Sequence, residues 1–214
     1  MLKIILSLIF VGLFYTTAFT QKLFEKGMHY FDFNLAVGLN KITTQLQENS
    51  SNNNALNINI PVLAYEYGLL NEIGIGLQFK KGNSFFTANP EYLTTNSLLI
   101  INNLHFIRKT NFDFFTGAAY GISGYKTVNS ERKYSSNGLG MAFEFYLSSR
   151  YRYNEKFNFN VKMAYNDEIY TIRNYTLNNS EYQSVKNESN YIYLKGMNVF
   201  FGITYKLIKP ESKN

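Results

Sequence analysis

The sequence predicts an all-β fold, an eight-stranded antiparallel up-and-down transmembrane β-barrel. Three observations predict it: segments that alternate apolar and polar side chains with period two, connections that are short and long by turns, and no long apolar run after residue 20. The final strand, residues 191–207, carries the pattern most plainly. From Met197 its odd positions are Met197, Val199, Phe201, Ile203, Tyr205 and Leu207, whereas the even ones are Asn198, Phe200, Gly202, Thr204 and Lys206. Successive strand side chains point to opposite faces, so this strand has one oily face and one that is small and mostly polar.

Residues 1–20 stand apart from the fold. Lys3 opens them, Ile4 to Tyr15 is uncharged and largely apolar, and Thr16, Thr17, Ala18 and Thr20 supply small residues before Gln21. That is the layout of a secretory signal peptide, with cleavage expected after Ala18 or Thr20 and residues 21–214 left as one barrel domain. The run is too short for a spanning helix, which needs roughly 20 apolar residues.

The remaining strands follow in order. Residues 30–41 set Phe31, Phe33, Leu35, Val37 and Leu39 against Asp32, Asn34, Ala36, Gly38 and Asn40. Residues 57–69 set Leu63, Tyr65, Tyr67 and Leu69 against Ala64, Glu66 and Gly68. Ile58 and Ile60 have the other parity, and Pro61 between the halves predicts a bulge. The third strand alternates Ile73, Ile75, Leu77 and Phe79 with Gly74, Gly76, Gln78 and Lys80. Residues 96–107 are least regular, with Leu98, Ile100, Leu104 and Phe106 as the simplest apolar face; residues 111–125 put Phe112, Phe114, Ala118, Tyr120 and Ile122 together. The sixth strand opposes Leu139, Met141, Phe143, Phe145, Leu147 and Tyr151 to Gly138, Gly140, Ala142, Glu144, Ser148 and Arg150. The seventh opposes Phe157, Phe159, Val161, Met163 and Tyr165 to Asn158, Asn160, Lys162 and Ala164, and Ile169 to Ile172 prolong it beyond a bilayer.

Tight turns are expected at 70–72, 108–110 and 154–156, and long polar loops at 43–55, 82–94, 126–137 and 168–190. Three-residue turns make Leu69 face Ile73, Phe106 face Phe112 and Tyr153 face Phe157, which matches the oily faces across each hairpin. Short turns at one end, long loops at the other and both termini at the short end describe an outer-membrane meander.

Alternation alone leaves the sidedness open, because a lipocalin-like barrel turns its apolar set inward. The other face decides it. Gly38, Gly68, Gly74, Gly76, Gly138, Gly140 and Gly202 lie there beside Asp32, Glu66, Glu144, Arg150 and Lys162, with Lys80, His105 and Asp113. Glycine weakens a water-facing strand for no gain, whereas small residues make room in a narrow lumen where charges pair. Aromatics Tyr65, Tyr67, Tyr151, Tyr153, Phe157 and Tyr205 gather at the short-turn end, as an interfacial girdle does.

Composition narrows the chemistry. The chain has no cysteine, so disulfides, thiolate metal sites and lipidated cysteines are excluded. Its net charge of +6 comes from scattered lysines and arginines without the concentrated patch that nucleic acid requires. Histidines occur only at 29 and 105, which argues against a histidine-rich metal site, and no cofactor is expected.

The segments PVLAYEYGLLNEIGIGLQF (61–79), LHF with DFFTGAAYG (104–121) and FGITYKL (201–207) resemble the porin-like outer-membrane β-barrel family of Bacteroidota, and more loosely the eight-stranded OmpX and OmpW barrels. The likeness spans the mature chain in layout. Its last strand departs from the common terminal Phe, ending on Leu207 with a tail to Asn214. The resemblance implies outer-membrane location and fold, and brings no catalytic motif.

The expected role is therefore structural or interactive, through long polar loops outside the cell. The alternatives are a narrow channel for small or apolar solutes, a lipid-A-modifying enzyme, and a secreted lipocalin-like binder. His105 opposite Asp113 is the one acid–base pair, with Ser97 or Ser123 as nucleophile, and an isolated lumen pair is usually structural. Expected partners are outer-membrane lipid, the barrel-insertion machinery acting on the last strand through Phe201, Tyr205 and Leu207, and a surface ligand of unknown identity. The barrel is monomeric by default, and no site is expected to bind a metal.

Overall fold

Period-two alternation does produce strands, and they run further than the oily segments alone. A computed structural model describes residues 22–46, 49–86, 91–129, 134–177, 180–183 and 190–207. The strands are β1 (His29–Leu46), β2 (Asn49–Gly68), β3 (Ile73–Phe86), β4 (Glu91–Arg108), β5 (Phe112–Asn129), β6 (Tyr134–Arg152), β7 (Phe157–Leu177), β8 (Ser180–Gln183) and β9 (Tyr191–Leu207). Each pairs antiparallel with its sequence neighbour from β1 to β7, β9 pairs with both β7 and β1, and the ring closes with eight barrel strands. β8 is a four-residue return laid on the far end of β7. The expected leader at 1–20 and the tail after Leu207 lie outside the described residues.

The expected loops are largely strand. Thr43 pairs with Asn52, Lys81 with Asn96, Thr127 with Ser136 and Arg173's neighbour Asn174 with Asn137, all inside segments 43–55, 82–94, 126–137 and 168–190 or at their edges. Asn and Ser, although weaker strand formers, ladder their backbones here as Thr does. They blur the alternation only because water, not hydrocarbon, meets their outward side chains.

Register shifts interrupt the described strands at three places: at Pro61 on β2, at Phe106 on β4, and on β7, where Asn137 pairs with Asn174 but Gly138 with Ile172. The register of β2 on β3 shifts between Asn59 and Val62, at Pro61, so Leu56, Ile60 and Leu63 all look outward despite their opposite numbering. A second bulge was not expected. On β4, His105 pairs with Phe115 but Ile107 with Phe114, which leaves Phe106 unpaired and sends Phe106 and Ile107 outward together. Phe106 therefore does not face Phe112; its ring meets Phe114 edge-on at 4.9 Å. The other two hairpins keep the expected register, with Leu69 N donating to Ile73 O at 2.9 Å and Tyr153 N to Phe157 O at 3.0 Å.

The oily face is the outer one. Phe31 is 44% exposed and Phe143 37%, so these rows form the outer wall and do not line a central cavity, as a lipocalin would need. The band they form is nine residues long on β1 (31–39) and eleven on β9 (197–207), matching the roughly 9–11 residues of a transmembrane strand.

Beyond that band the polarity inverts. Outward positions become Lys41, Asn96, Lys126, Asn137 and the ion pair Lys195–Asp167 at 3.1 Å. Inward positions become Ile42, Ala55, Leu93, Tyr125, Tyr170, Ile172, Ile192 and Leu194, which pack into one buried cluster. One barrel thus meets two solvents, hydrocarbon around its lower wall and water around its upper. Most apolar side chains of each length turn away from water, at about 1.5–3 kcal/mol per buried side chain, with Phe85, Tyr92 and Ile169 left exposed above the band.

A charge at mid-band is therefore expensive and one above it is not. Leu35→Arg is expected to destabilise the barrel by about 2–4 kcal/mol, and Thr171→Arg by no more than about 1 kcal/mol, in urea unfolding from lipid vesicles. Equal costs at the two positions would refute this placement of the bilayer.

Candidate functional site: the barrel lumen

Inward side chains of an eight-stranded barrel have little more than their own volume to occupy. What fills that volume here is built in tiers from the short-turn end.

The lowest tier is the segment ahead of β1, which sequence reasoning left unassigned. Leu23 N donates to Lys109 O at 3.0 Å and Gly27 N to Gly68 O at 2.7 Å, pinning the segment across the mouth. Gly27 turns the chain upward into β1 with φ 79°, a left-handed conformation that favours glycine. Leu23, Phe24, Met28 and Tyr30 are buried, and the Phe24 ring stacks on His105 with centroids 3.5 Å apart. The signal was present as Leu23, Phe24 and Met28, three apolar residues in a segment with no pattern of its own.

The second tier gathers Asp32, Glu66, His105, Asp113 and Arg150 from five strands. His105 Nδ1 lies 2.9 Å from Asp113 Oδ1, and its Nε2 lies 2.9 Å from Glu66 Oε1. Both ring nitrogens donate only in the imidazolium form, the state that serves two carboxylates at once. Arg150 Nη2 donates to Glu66 Oε2 at 2.5 Å and to Asp32 Oδ2 at 3.1 Å, with Asp113 at 3.8 Å from Nη1. Asn103 donates to Glu66 at 2.6 Å, and Thr204 to Asp32 at 2.5 Å. The guanidinium is sandwiched between the rings of Tyr30 and Phe115, 4.9 and 4.6 Å from their centroids.

The third tier pairs two cations with two anions. Lys162 Nζ donates to Glu144 Oε1 at 2.7 Å and to Gln78 Oε1 at 2.9 Å. Lys80 Nζ lies 3.4 Å from Glu144 and 2.9 Å from Glu168. Glu168, which Tyr170 also contacts, escaped the sequence reading because it falls where a loop was expected. Glycine makes the room: a Cβ on Gly74 would stand 1.9 Å from Glu66 Oε1. Between the tiers remains a cavity of about 20 Å³ bordered by Asp32, Gln78, Arg150 and Lys162, space for roughly one water.

This geometry places neither Ser97 nor Ser123 beside the His105–Asp113 pair as a nucleophile. The His105–Asp113 contact exists, although through a different register from the one expected, because the Phe106 bulge intervenes. Glu66 occupies the nitrogen that would serve a nucleophile. Ser97 lies eight residues up the same strand, about 26 Å away, hydrogen-bonded to Ser123 at 2.8 Å. On the outer wall, Phe201 and Leu207 are exposed, and half-buried Tyr205 packs on Phe157 with centroids 5.3 Å apart.

A charge removed from one partner strands the other. Glu144→Leu leaves Lys162 buried without a carboxylate and Lys80 with one, and is expected to cost about 3–5 kcal/mol in the same urea assay. A loss below about 1 kcal/mol would mean that the third tier is hydrated and not dry.

No model of a protein family matches the chain, and no curated protein does. Among solved structures it is similar to the outer membrane protein AlkL, determined by solid-state NMR in DMPC lipid bilayers. The identity is 10% and the TM-score 0.55, over 94% of this chain and 99% of that one. It is also similar to the outer membrane protein OprG from Pseudomonas aeruginosa, at 15% identity and TM-score 0.49 over 87% and 98% of the two chains. The likeness is one of fold: an eight-stranded closed antiparallel barrel of the small outer-membrane type.

Proposed function

We propose that this protein is a non-conducting, non-enzymatic outer-membrane barrel, exported by its first 20 residues, that acts through the polar surface it raises above the bilayer. One observation carries the reading. Every tier of the described lumen is occupied by packed side chains, from Phe24 at the mouth through the ion pairs of Arg150 and Lys162 to the apolar cluster around Tyr170, although Asn40, Asn158 and Asn166 carry buried polar atoms without a hydrogen-bond partner among the described residues. A selectivity element needs an aqueous path past its charges, and a cavity of about 20 Å³ provides none. The strands spend their extra length on the side where the expected loops lie, which suits a platform that presents those loops to a ligand or surface partner. Lipid surrounds the band, and the barrel works as a monomer.

The refolded protein is expected to give no steady open current in planar bilayers, and to leave the lipid A mass profile of the host unchanged on deletion. A steady current would establish the channel reading instead, and an altered profile the enzymatic one.

The outward edge of β9 is proposed as the signal read by the insertion machinery, because Phe201, Tyr205 and Leu207 end the closing strand on its lipid-facing side. Tyr205→Asn with Leu207→Asn is expected to lower assembled barrel in cells while refolding in detergent persists. Unchanged assembly in cells would remove that role.

A further inference from the structure

Glycine on a barrel strand ordinarily has a neighbour that requires it. At eleven of the described strand glycines a Cβ would stand 2.5 Å or less from another atom; Gly76, for example, would meet Tyr65 O at 1.8 Å. Gly124 differs. A Cβ there would meet only Leu139 Cδ2 at 3.3 Å and Gly138 O at 3.7 Å. It points outward, between Ile122 and Lys126 on β5, so the missing side chain leaves a dent in the lipid-facing wall.

The dent is an apolar groove of about 380 Å³ bounded by Phe79, Leu98, Ile122 and Leu139, with Asn96 at its upper rim. That volume falls within the range of small-ligand sites. Asn96 pairs with Lys81 on one side and Gly124 on the other, and Lys126 is the next outward residue above Gly124. Lys81 and Lys126 are both exposed, and strand spacings put their Cα atoms about 12 Å apart across the groove's upper end. Neither has an ion-pair partner among the described residues, whereas Lys195 at the same height is neutralised by Asp167 at 3.1 Å. An oily slot below two cations unpaired among the described residues, at the upper edge of the apolar band, fits an amphiphile with an acyl chain and an anionic head.

We propose that this groove holds an acyl chain of a phosphorylated lipid of the outer leaflet, its phosphate bridging Lys81 and Lys126. The proposal rests on the membrane reading above. The hydrocarbon fills the space that Gly124 leaves, and the phosphate supplies the counter-charge that no described residue does. Another outward lysine of the boundary, Lys41, stands on β1 away from the groove and serves as the internal control.

The test is native mass spectrometry of the full barrel in detergent, offered bisphosphorylated lipid A or the same lipid A stripped of phosphate. Wild type is expected to retain one phosphorylated lipid through detergent exchange. Gly124→Leu, which fills the slot, and Lys81→Gln with Lys126→Gln are each expected to lower that retention roughly tenfold or more. Stripped lipid should be retained no better by wild type than the phosphorylated lipid is by the double variant, and Lys41→Gln should behave as wild type. Retention that ignores Gly124→Leu or the phosphate, or that falls equally with Lys41→Gln, would overturn the site. Insertion of each refolded variant into lipid vesicles is scored separately. A protein that inserts but shows no selective retention loses only this site, and one that fails to insert as wild type loses the membrane reading as well.

Discussion

In hydrocarbon a backbone amide has only the chain itself to bond to, so a sheet can cross a membrane only if it has no edge. Here the constraint is met by the pairing of the last strand with the first, continuous from Gln45–Tyr191 down to His29–Leu207. The remaining architecture follows from that ring. Eight strands fix an interior about one side chain wide in any direction, and hydrocarbon claims the outward positions. The polar half of every strand must then go inside and find partners there. The arginine beside two rings and the carboxylates around it fill that interior together with an apolar cluster that includes Leu99, Ile101 and Phe200.

The second organising fact is that the barrel is longer than the membrane it spans. Along β9 the outward residue changes from Met197 to Lys195 and the inward one from Asn198 to Leu194. Nothing in the backbone marks the change. The strand continues with the same pleat and partners, and only the solvent outside differs. The upper length is built like a water-soluble barrel with an oily core, set on top of a membrane barrel whose interior packs ion pairs against apolar residues such as Leu99, Ile101 and Phe200.

Much of this was legible in the sequence because hydrocarbon enforces alternation strictly. The lipid-facing sets on β1, β3, β6, β7 and β9 could be read residue by residue, and the parity change at Pro61 announced its bulge. Where water replaced lipid the rule relaxed, and Thr43 or Ser135 could face outward as comfortably as any other polar residue; strand was therefore mistaken for loop. The Phe106 bulge was hidden for a different reason. Phe106 and Ile107 are both apolar, so either can face lipid and the pattern does not show which one is extra. The lumen residues were readable one at a time as inward and polar. Their partnerships join strands far apart in sequence, such as Lys80 with Glu168, and periodicity carries no information about those.

The second tier has a consequence for how the chain becomes a barrel. Asp32 comes from the first strand, Arg150 from the sixth and Thr204 from the last, so their contacts span 118 and 172 residues of sequence. A sheet that has formed only its middle hairpins holds a guanidinium with part of its counter-charge missing, and a sheet without β9 leaves Asp32 short of a donor. Incomplete barrels are thus penalised electrostatically as well as at their open edges. Only the closed ring brings the first, sixth and last strands together and so completes the ion pairs and hydrogen bonds of this tier.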